Sequence, residues 1–190
     1  ASAEGYAIPG PRTCFWSRGP HSADPYINIA YPDANVFYWA AVFTTPEGST
    51  LNLEGNFPHS RYMSLISYDQ AGRPMESVAD YLIAPAAGST NPYHIGADRT
   101  ATDRSYSVEV RNAPADESRT IGMRSAPGSV SVLNAPAYGP GQQSVLYRIY
   151  LPDDGTAPTG KVALPEPVLT LKDGSELRGK AACKAHSQAS

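Results

Sequence analysis

The sequence predicts an all-β protein, built as a two-sheet β-sandwich or jelly-roll with long loops. The chain contains about nine to eleven short segments in which apolar and polar residues alternate with the period of a β-strand. Its 18 prolines and 16 glycines are scattered, which is typical of frequent turns between short strands. No segment has the period of an amphipathic helix, and this argues against an alternating strand–helix design.

Length and charge limit the possible functions. With 190 residues, one domain spanning 1–190 is expected. The net charge of −3 gives no basic surface for nucleic acid, and no apolar run approaches the roughly 20 residues that cross a bilayer. The chain begins Ala-Ser-Ala-Glu without a methionine, which is typical of a chain whose signal peptide has been removed. We therefore expect a secreted protein, periplasmic or extracellular.

The N-terminal region is expected to be irregular up to residue 25, because its prolines and glycines interrupt any long element. Phe15 and Trp16, next to Cys14, are predicted to anchor this segment on the core. A short strand is predicted at 26–31, before the Pro-Asp that follows it.

Residues 35–44 form the most aromatic stretch of the chain and predict an interior strand. One face of this strand carries Phe37, Trp39, Ala41 and Phe43. After a turn at 45–49, leucine alternates with polar residues over 50–54. We expect these two segments to form a hairpin whose second strand has one face in water.

The stretch F-P-H-S-R-Y-M-S-L-I-S-Y-D at 57–69 predicts the strand around which the fold is organised. Large apolar side chains occur on both faces of its strand-like part, 60–69. This pattern is typical of an interior strand that is covered on both sides.

The rest of the chain continues the pattern of short strands and turns. The predicted elements are a helical turn at 75–81, a short strand at 81–84, a long surface loop at 85–104, strands at 105–111, 119–123, 129–133 and 145–151, and a final hairpin from 168–172. The tail at 180–190 consists mainly of small and polar residues, and we expect it to lack regular structure.

The sequence lacks the common catalytic and cofactor motifs. Four histidines and two cysteines do not form an H-E-x-x-H, a paired C-x-x-C or a C-x-x-C-H pattern. The G-x-S-x-G elbow, the Walker loop and the G-x-G-x-x-G loop are also absent. We therefore predict no metal and no cofactor, although Asp33 and the turn Asp153-Asp154-Gly155 could act as calcium ligands at strand ends.

Five residues make up the candidate ligand-binding site: His59, Arg61, Tyr68, Asp69 and His94. Two interpretations remain open. The side chains line a cleft for a ligand or for catalysis, or Arg61 and Asp69 cap the ends of a buried strand. These two lie about 27 Å apart along an extended strand, too far to pair with each other. His59 and Ser60 point to opposite faces, so they do not form a nucleophile and its base.

The aromatic side chains also allow two interpretations. They are Phe37, Tyr38, Trp39, Phe43, Tyr62 and Tyr68. Packing in the core is the simpler explanation, since buried tyrosines need only a hydrogen-bond partner. If their face opens into a cleft, the same residues would suit an apolar or carbohydrate ligand.

Four segments resemble a group of exported bacterial proteins of unassigned function. They are Y-P-D-A-N-V-F-Y-W (31–39), F-P-H-S-R-Y-M-S-L-I-S-Y-D (57–69), I-A-P-A-A-G-S-T-N-P-Y (83–93) and G-K-A-A-C (179–183). Their strand followed by Tyr-Asp is loosely similar to the β-sandwich domains of the DUF1214 type. The resemblance implies a β-sandwich and an exported location, and it carries no catalytic residues.

Two functions are consistent with these observations. The first is an exported, non-catalytic protein that binds a partner protein or acts as an accessory subunit of an envelope or extracellular assembly. Its basis is the tyrosine-rich composition, the low charge and the lack of catalytic motifs. The alternative is a small-ligand-binding protein or a hydrolytic enzyme with a cleft at the end of strand 60–69.

The two cysteines, Cys14 and Cys183, are predicted to form a disulfide that ties the N-terminal segment to the tail. An exported chain with only two cysteines favours a bridge. Both flanking regions are rich in turns and would otherwise fray.

Substituting Cys14→Ser is expected to lower the free energy of unfolding by roughly 2–4 kcal/mol, because the bridge restricts the unfolded chain. Chain entropy alone gives about 5 kcal/mol for a loop this long, and residual structure in the unfolded state reduces that figure. Denaturant unfolding measures the change. Two free thiols in the mass spectrum of the non-reduced protein would contradict the prediction.

Overall fold

The computed structural model describes residues 13–22, 36–115, 126–153 and 159–188. The predicted strands at 26–31 and 119–123 lie outside these ranges. The same holds for Asp33, Asp154 and Gly155, the residues considered as calcium ligands together with Asp153.

The described residues form ten strands and one α-helix, and the strands make two sheets packed face to face. The strands are β1 (Arg18–Ser22), β2 (Val36–Thr44), β3 (Thr50–Asn56), β4 (Ser60–Tyr68), β5 (Pro74–Ala79), β6 (Ser105–Arg111), β7 (Val132–Asn134), β8 (Gln142–Pro152), β9 (Glu166–Thr170) and β10 (Glu176–Arg178). Sheet A has the order β1-β2-β8-β4-β5, and sheet B has the order β10-β9-β3-β6-β7. The predicted two-sheet fold is confirmed.

The core lies between the sheets and is rich in aromatic rings. The ring of Tyr147 lies 5.8 Å from the rings of both Trp16 and Trp39. Trp16 is fully buried and donates its indole N–H to the carbonyl of Pro165 at 2.8 Å. Phe15 is buried too, so the predicted anchoring of the N-terminal segment by this aromatic pair is confirmed.

Both strands predicted to be interior are interior. β2 lies between β1 and β8, and β4 lies between β8 and β5. The strand predicted to be covered on both sides, β4, is only partly covered on its outer face, where Ser60 and Ser64 are buried and Tyr62, Ile66 and Tyr68 are half-buried. In β2 the face toward sheet B is buried and the outer face is half-buried, with Val42 41% exposed.

The predicted hairpin of the second and third segments is also wrong. β2 belongs to sheet A and β3 to sheet B, so the turn at 45–49 carries the chain from one sheet to the other. A polar turn between two alternating segments is compatible with a hairpin in one sheet and with a crossing to the other sheet, so the sequence does not distinguish them. The wet face predicted for β3 is present, since Leu51 and Leu53 are buried while Thr50 is exposed.

Three further predictions need correction. A strand, β1, occupies 18–22 within the region expected to be irregular. The segment expected to hold a helical turn is the edge strand β5, followed by a 3-10 turn at Asp80–Leu82, and Ile83 makes only a single bridge to Val130. Edge strands tolerate the proline that opens β5. The long loop at 85–104 has no regular helix, as predicted.

The C-terminal tail folds as a helix, α1 (Lys180–Gln188), where irregular structure was expected. Its three alanines, Ala181, Ala182 and Ala185, favour a helix. Ala182 is fully buried against the sandwich. The disulfide between Cys14 and Cys183 is present, with Cα atoms 6.1 Å apart, and it joins α1 to the N-terminal segment. No helix in the described ranges has the length and apolar character of a membrane span.

His186 fixes α1 to the end of the core. Its side chain is 3% exposed and packs against the rings of Phe15 and Phe43. The Nδ1–H group donates to the carbonyl of Thr44 at 2.9 Å, whereas Nε2 has no hydrogen-bond partner among the described residues. Burial lowers the pKa of His186 below its usual value of 6.5, so the ring is neutral in the folded protein at pH 7.

Replacing His186→Asn should reduce the loss of stability on acidification. The folded-state pKa of His186 is lowered, so its contribution is intact above pH 6.5 and is lost as the pH falls from there through the folded-state value. The asparagine Nδ2 group can still donate to Thr44, but it does not titrate in this range. Urea unfolding at pH 7.5 and pH 5 should give a smaller difference for the variant than for the parent protein. Equal differences would show that His186 does not contribute.

Candidate functional site

A buried arginine organises the loops at the N-terminal end of β4. Arg104 precedes β6 and is 4% exposed. Its Nε–H donates to the carbonyl of Phe57 at 2.6 Å, and Nη2 donates to the carbonyl of Pro58 at 3.1 Å. The Nη1 group donates to the carbonyls of Arg99 and Ala101 at 3.2 and 3.1 Å. One guanidinium therefore joins the segment before β4 to the end of the long loop.

No carboxylate forms an ion pair with Arg104 among the described residues, which is unusual for a buried charge. Backbone carbonyls take the place of the anion, because each presents the negative end of its dipole to a guanidinium N–H. Burial lowers the pKa of Arg104, yet arginine remains protonated at any physiological pH. The loops depend on this side chain, since without it several buried carbonyls would lose their partners.

Arg104 also fixes the protonation of His59. Its Nη1 atom lies 3.2 Å from His59 Nδ1. A guanidinium can only donate, so Nδ1 accepts and the proton of the neutral ring is on Nε2. Burial, and then the charge of Arg104, lower the pKa of His59. With a proton already on Nε2 and Nδ1 occupied, His59 is not available as a general base.

The long loop at 85–104 is held by two side chains in its first half, Asn91 and Tyr93. Tyr93 contacts the segment before β4 through its hydroxyl, which lies 2.8 Å from the Pro58 carbonyl and 2.6 Å from Ser60 Oγ. Asn91 is buried and donates from Nδ2 to the carbonyls of Asp80 and Ile83, both at 2.9 Å. The loop is therefore a fixed wall built from irregular backbone.

His94 anchors the tip of this loop. Its Nε2–H donates to the Tyr81 carbonyl at 3.1 Å. The ring packs on Gly128. A side chain does not fit at this position, because a Cβ would lie 2.6 Å from His94 Cε1, and the backbone φ of +70° also favours glycine. The next residue, Ile95, has a fully exposed side chain.

Asp80 is a buried carboxylate that links the 3-10 turn to β4. Its Oδ2 accepts the N–H of Met63 at 2.9 Å, and Oδ1 accepts the N–H of Tyr81 at 2.6 Å. Burial raises the pKa of Asp80, and the two backbone hydrogen bonds and the charge of Arg99 oppose this rise. Both oxygens are used by the backbone, so Asp80 serves to position β4 and the turn.

These elements enclose a cleft of about 660 Å³, which we call the loop cleft. It is lined by Arg61, Tyr62, Asp80, Tyr81, residues 92–97, Arg99 and Pro127. Apolar walls come from Pro92, Ile95, Ala97 and Pro127, and Tyr81, 41% exposed, forms part of the rim. A volume of this size is in the range of small-molecule sites.

Two arginines provide the positive charge of the loop cleft. Arg61 is exposed and makes no hydrogen bond or ion pair with the described residues. Within the described part of the chain the Arg99 side chain makes one hydrogen bond, from Nη2 to the Ser60 carbonyl at 3.3 Å. Neither forms an ion pair with Asp80, whose oxygens accept backbone N–H groups instead. The cleft thus presents two guanidinium groups beside apolar walls.

The structure does not bring the five predicted site residues together. Arg61 and His94 line the loop cleft, and His59 lies behind it, against Arg104. Tyr68 and Asp69 are at the other end of β4, in a separate groove on the outer face of sheet A. The aromatic set also divides: Phe37, Trp39 and Phe43 are core residues, and Tyr38, Tyr62 and Tyr68 are half-buried on the outer face.

Sequence reasoning missed Asp80, Tyr93, Arg99 and Arg104 as site residues. The length of the loop at 85–104 was the available signal, because a loop this long in a compact domain is often functional. No residue pattern distinguishes a buried loop arginine from an exposed one. In the described ranges, no group of three His, Cys, Asp or Glu side chains has the geometry to hold a metal ion.

Comparison with known proteins adds little. No family model and no curated protein matches the sequence, so the resemblance to DUF1214-type domains stays a prediction. A solved structure of an uncharacterised protein from Burkholderia cenocepacia is similar with a TM-score of 0.47 and 11% identity. The similarity covers 75% of this chain and 32% of the Burkholderia chain.

Substituting Arg104→Met should lower the free energy of unfolding by about 3 kcal/mol or more, because buried carbonyls lose their donors. Arg104→Lys is the matched control: it keeps the charge but not the planar fork, so we expect a smaller loss. Denaturant unfolding gives both values. A methionine variant as stable as the parent would show that the loops do not depend on this guanidinium.

Proposed function

We propose that the protein is an exported, non-catalytic binding protein that holds a small anionic ligand in the loop cleft. The observation that carries this proposal is the pair Arg61 and Arg99, neither ion-paired, beside apolar walls. A guanidinium donates two parallel hydrogen bonds to a carboxylate or phosphate, and this pairing is stronger in a site that excludes water. The ligand would satisfy the arginines with its anionic group.

The walls favour a ligand that also has an apolar part. Pro92, Ile95 and Pro127 offer no hydrogen bonds from their side chains, so they suit a hydrocarbon or aromatic group. The ring of Tyr81 at the rim provides a flat surface of the same kind. We therefore expect an amphipathic molecule, with one carboxylate or phosphate and one ring or short aliphatic chain.

Binding is favoured over catalysis by the way the polar groups of the cleft are used. The Asp80 oxygens accept backbone N–H groups, and the Tyr93 hydroxyl is shared by Ser60 and Pro58. Burial raises the pKa of Tyr93, which keeps its proton in place. His94 donates to the backbone, and His59 has no free basic nitrogen. These groups hold the cleft in shape, and no nucleophile with a nearby base is found among them.

Export is supported by the disulfide between Cys14 and Cys183. Such bridges form and persist mainly in oxidising compartments such as the bacterial periplasm or the extracellular space.

A second candidate function is the binding of a partner protein at the same rim, as part of an envelope or extracellular assembly. Its support is the full exposure of Ile95, next to the partly exposed Tyr81. A partner would bury these two side chains, whereas a small ligand would contact them only from inside the cleft. Ile95→Ser should then abolish partner binding, whereas a small anion should lose only the apolar contact with Ile95 and keep its pairing with Arg61 and Arg99.

The binding proposal predicts saturable stabilisation by small amphipathic anions. Phenyl phosphate, benzoate and hexanoate are suitable probes, with benzyl alcohol as the neutral control. At a concentration of 100 times Kd, a ligand adds about 2.7 kcal/mol to the free energy of unfolding, which a thermal unfolding experiment detects. We expect at least one anion, and not benzyl alcohol, to raise the unfolding temperature in a saturable way.

Arg61→Ala should weaken the binding of such a probe by about 10- to 100-fold, the loss expected when a charged hydrogen-bond donor is removed. Arg111→Ala is the control, because Arg111 is exposed on sheet B and pairs with Glu109. Isothermal titration of both variants measures the loss. No binding by any of the anions, or equal affinity in both variants, would exclude the proposed site.

A further inference from the structure

A second groove lies on the outer face of sheet A, away from the loop cleft. This outer groove has a volume of about 520 Å³. Its lining includes three tyrosines and three polar or charged residues: Tyr38, Tyr68, Tyr138, Asp69, Gln70 and Arg148. Tyr38 lies on β2, Tyr68 on β4 and Arg148 on β8, so three neighbouring strands contribute to its floor.

Arg148 is the first observation that points to a ligand. Its side chain is half-buried on the sheet, where it lies opposite Tyr38 on one side and Ser64 on the other. Among the described residues it makes no hydrogen bond and no ion pair. A guanidinium has five N–H donors, so Arg148 can donate to a ligand in the groove without first breaking a bond to the described residues.

Asp69 is the second observation. It follows β4, and its Oδ1 accepts the N–H groups of Ala71 and Arg73 at 2.9 and 2.8 Å. These bonds fix the carboxylate, while Oδ2 accepts no hydrogen bond from the described residues. The outer groove therefore contains a positioned acceptor as well as a donor fork, and the two side chains form no ion pair with each other.

The combination of rings and planar polar groups indicates the class of ligand. Tyr38, Tyr68 and Tyr138 offer ring surface with a polar tip, which suits a molecule that has an apolar C–H face and hydroxyls around its edge. Arg148 can donate to two neighbouring hydroxyl oxygens, and Asp69 and Gln70 can accept from hydroxyl groups. The groove contains one cation and one anion, whose charges balance, so a neutral polyhydroxyl ligand fits better than an ion of either sign.

We propose that the outer groove is a second binding site, distinct from the loop cleft, and that it binds a neutral saccharide. The sugar ring stacks on the tyrosines, and its hydroxyls bridge Arg148 and Asp69. The outer face of sheet A then binds the saccharide, and the loop cleft binds the small anion.

The test uses the full chain with its disulfide intact. Neutral hexasaccharides of glucose, mannose and N-acetylglucosamine are titrated by calorimetry, beside a galacturonic acid oligosaccharide as the anionic probe. We expect at least one neutral hexasaccharide to bind saturably and the anionic probe to bind more weakly. No saturable binding by any neutral probe would overturn the proposal, and so would tighter binding of the anionic one.

Matched variants locate the binding. Asp69→Asn keeps Oδ1 for the turn and replaces Oδ2 by a donor, so the fold is preserved while the acceptor is lost. We expect this variant and Arg148→Ala each to weaken saccharide binding about tenfold or more. Arg73→Ala removes an exposed charge in the same turn and should leave binding unchanged, because only the backbone of Arg73 is used. Equal affinity in all three variants would overturn the assignment of the site.

The loop-cleft variant Arg61→Ala separates this proposal from the preceding one. It should bind the saccharide with the affinity of the parent protein, even though it loses the small anion. If Arg61→Ala weakens saccharide binding as much as Arg148→Ala does, the sugar occupies the loop cleft and the second site does not exist.

Discussion

The candidate site depends on one buried guanidinium. Arg104 donates to four backbone carbonyls and to His59, and in doing so it holds the segment before β4 against the end of the long loop. A buried cation without a carboxylate costs free energy that only a complete set of hydrogen bonds can offset. This requirement fixes the positions of all the carbonyls at once. The loop can therefore form a defined wall without secondary structure of its own.

The division of roles between buried and exposed polar groups follows from the same constraint. Four side chains give the loop cleft its shape through hydrogen bonds to backbone groups: Asp80, Asn91, Tyr93 and Arg104. Arg61 and Arg99 remain at the surface with few or no contacts, and their charge faces the cleft. A site preorganised in this way loses little entropy when a ligand binds. That arrangement is better suited to holding a ligand than to transferring protons.

Much of the fold could be predicted from the sequence, because the period of two in strands such as 60–68 is set by burial of one face. The choice of sheet could not be predicted, since a short polar turn joins β2 to a strand in either sheet equally well. The small and polar residues of the tail predict irregular structure, whereas its alanines favour the helix α1 that the structure shows. The sequence predicts Arg61 and His94 as site residues, and both line the loop cleft, whereas Arg104 acts through contacts between segments that are distant in sequence. Tyr68 and Asp69 lie elsewhere because β4 is nine residues long and they are at its far end.

Nuclear magnetic resonance tests the proposed binding of an anion in the loop cleft most directly. Titration of the uniformly ¹⁵N-labelled protein with phenyl phosphate should shift the Nε–H resonances of Arg61 and Arg99 and the amides of 92–97 with one shared saturation curve. The Nε–H resonance of Arg148, on the outer face of sheet A, should not move. Unsaturable shifts, or shifts of equal size at Arg148, would contradict the assignment of the loop cleft as the anion-binding site.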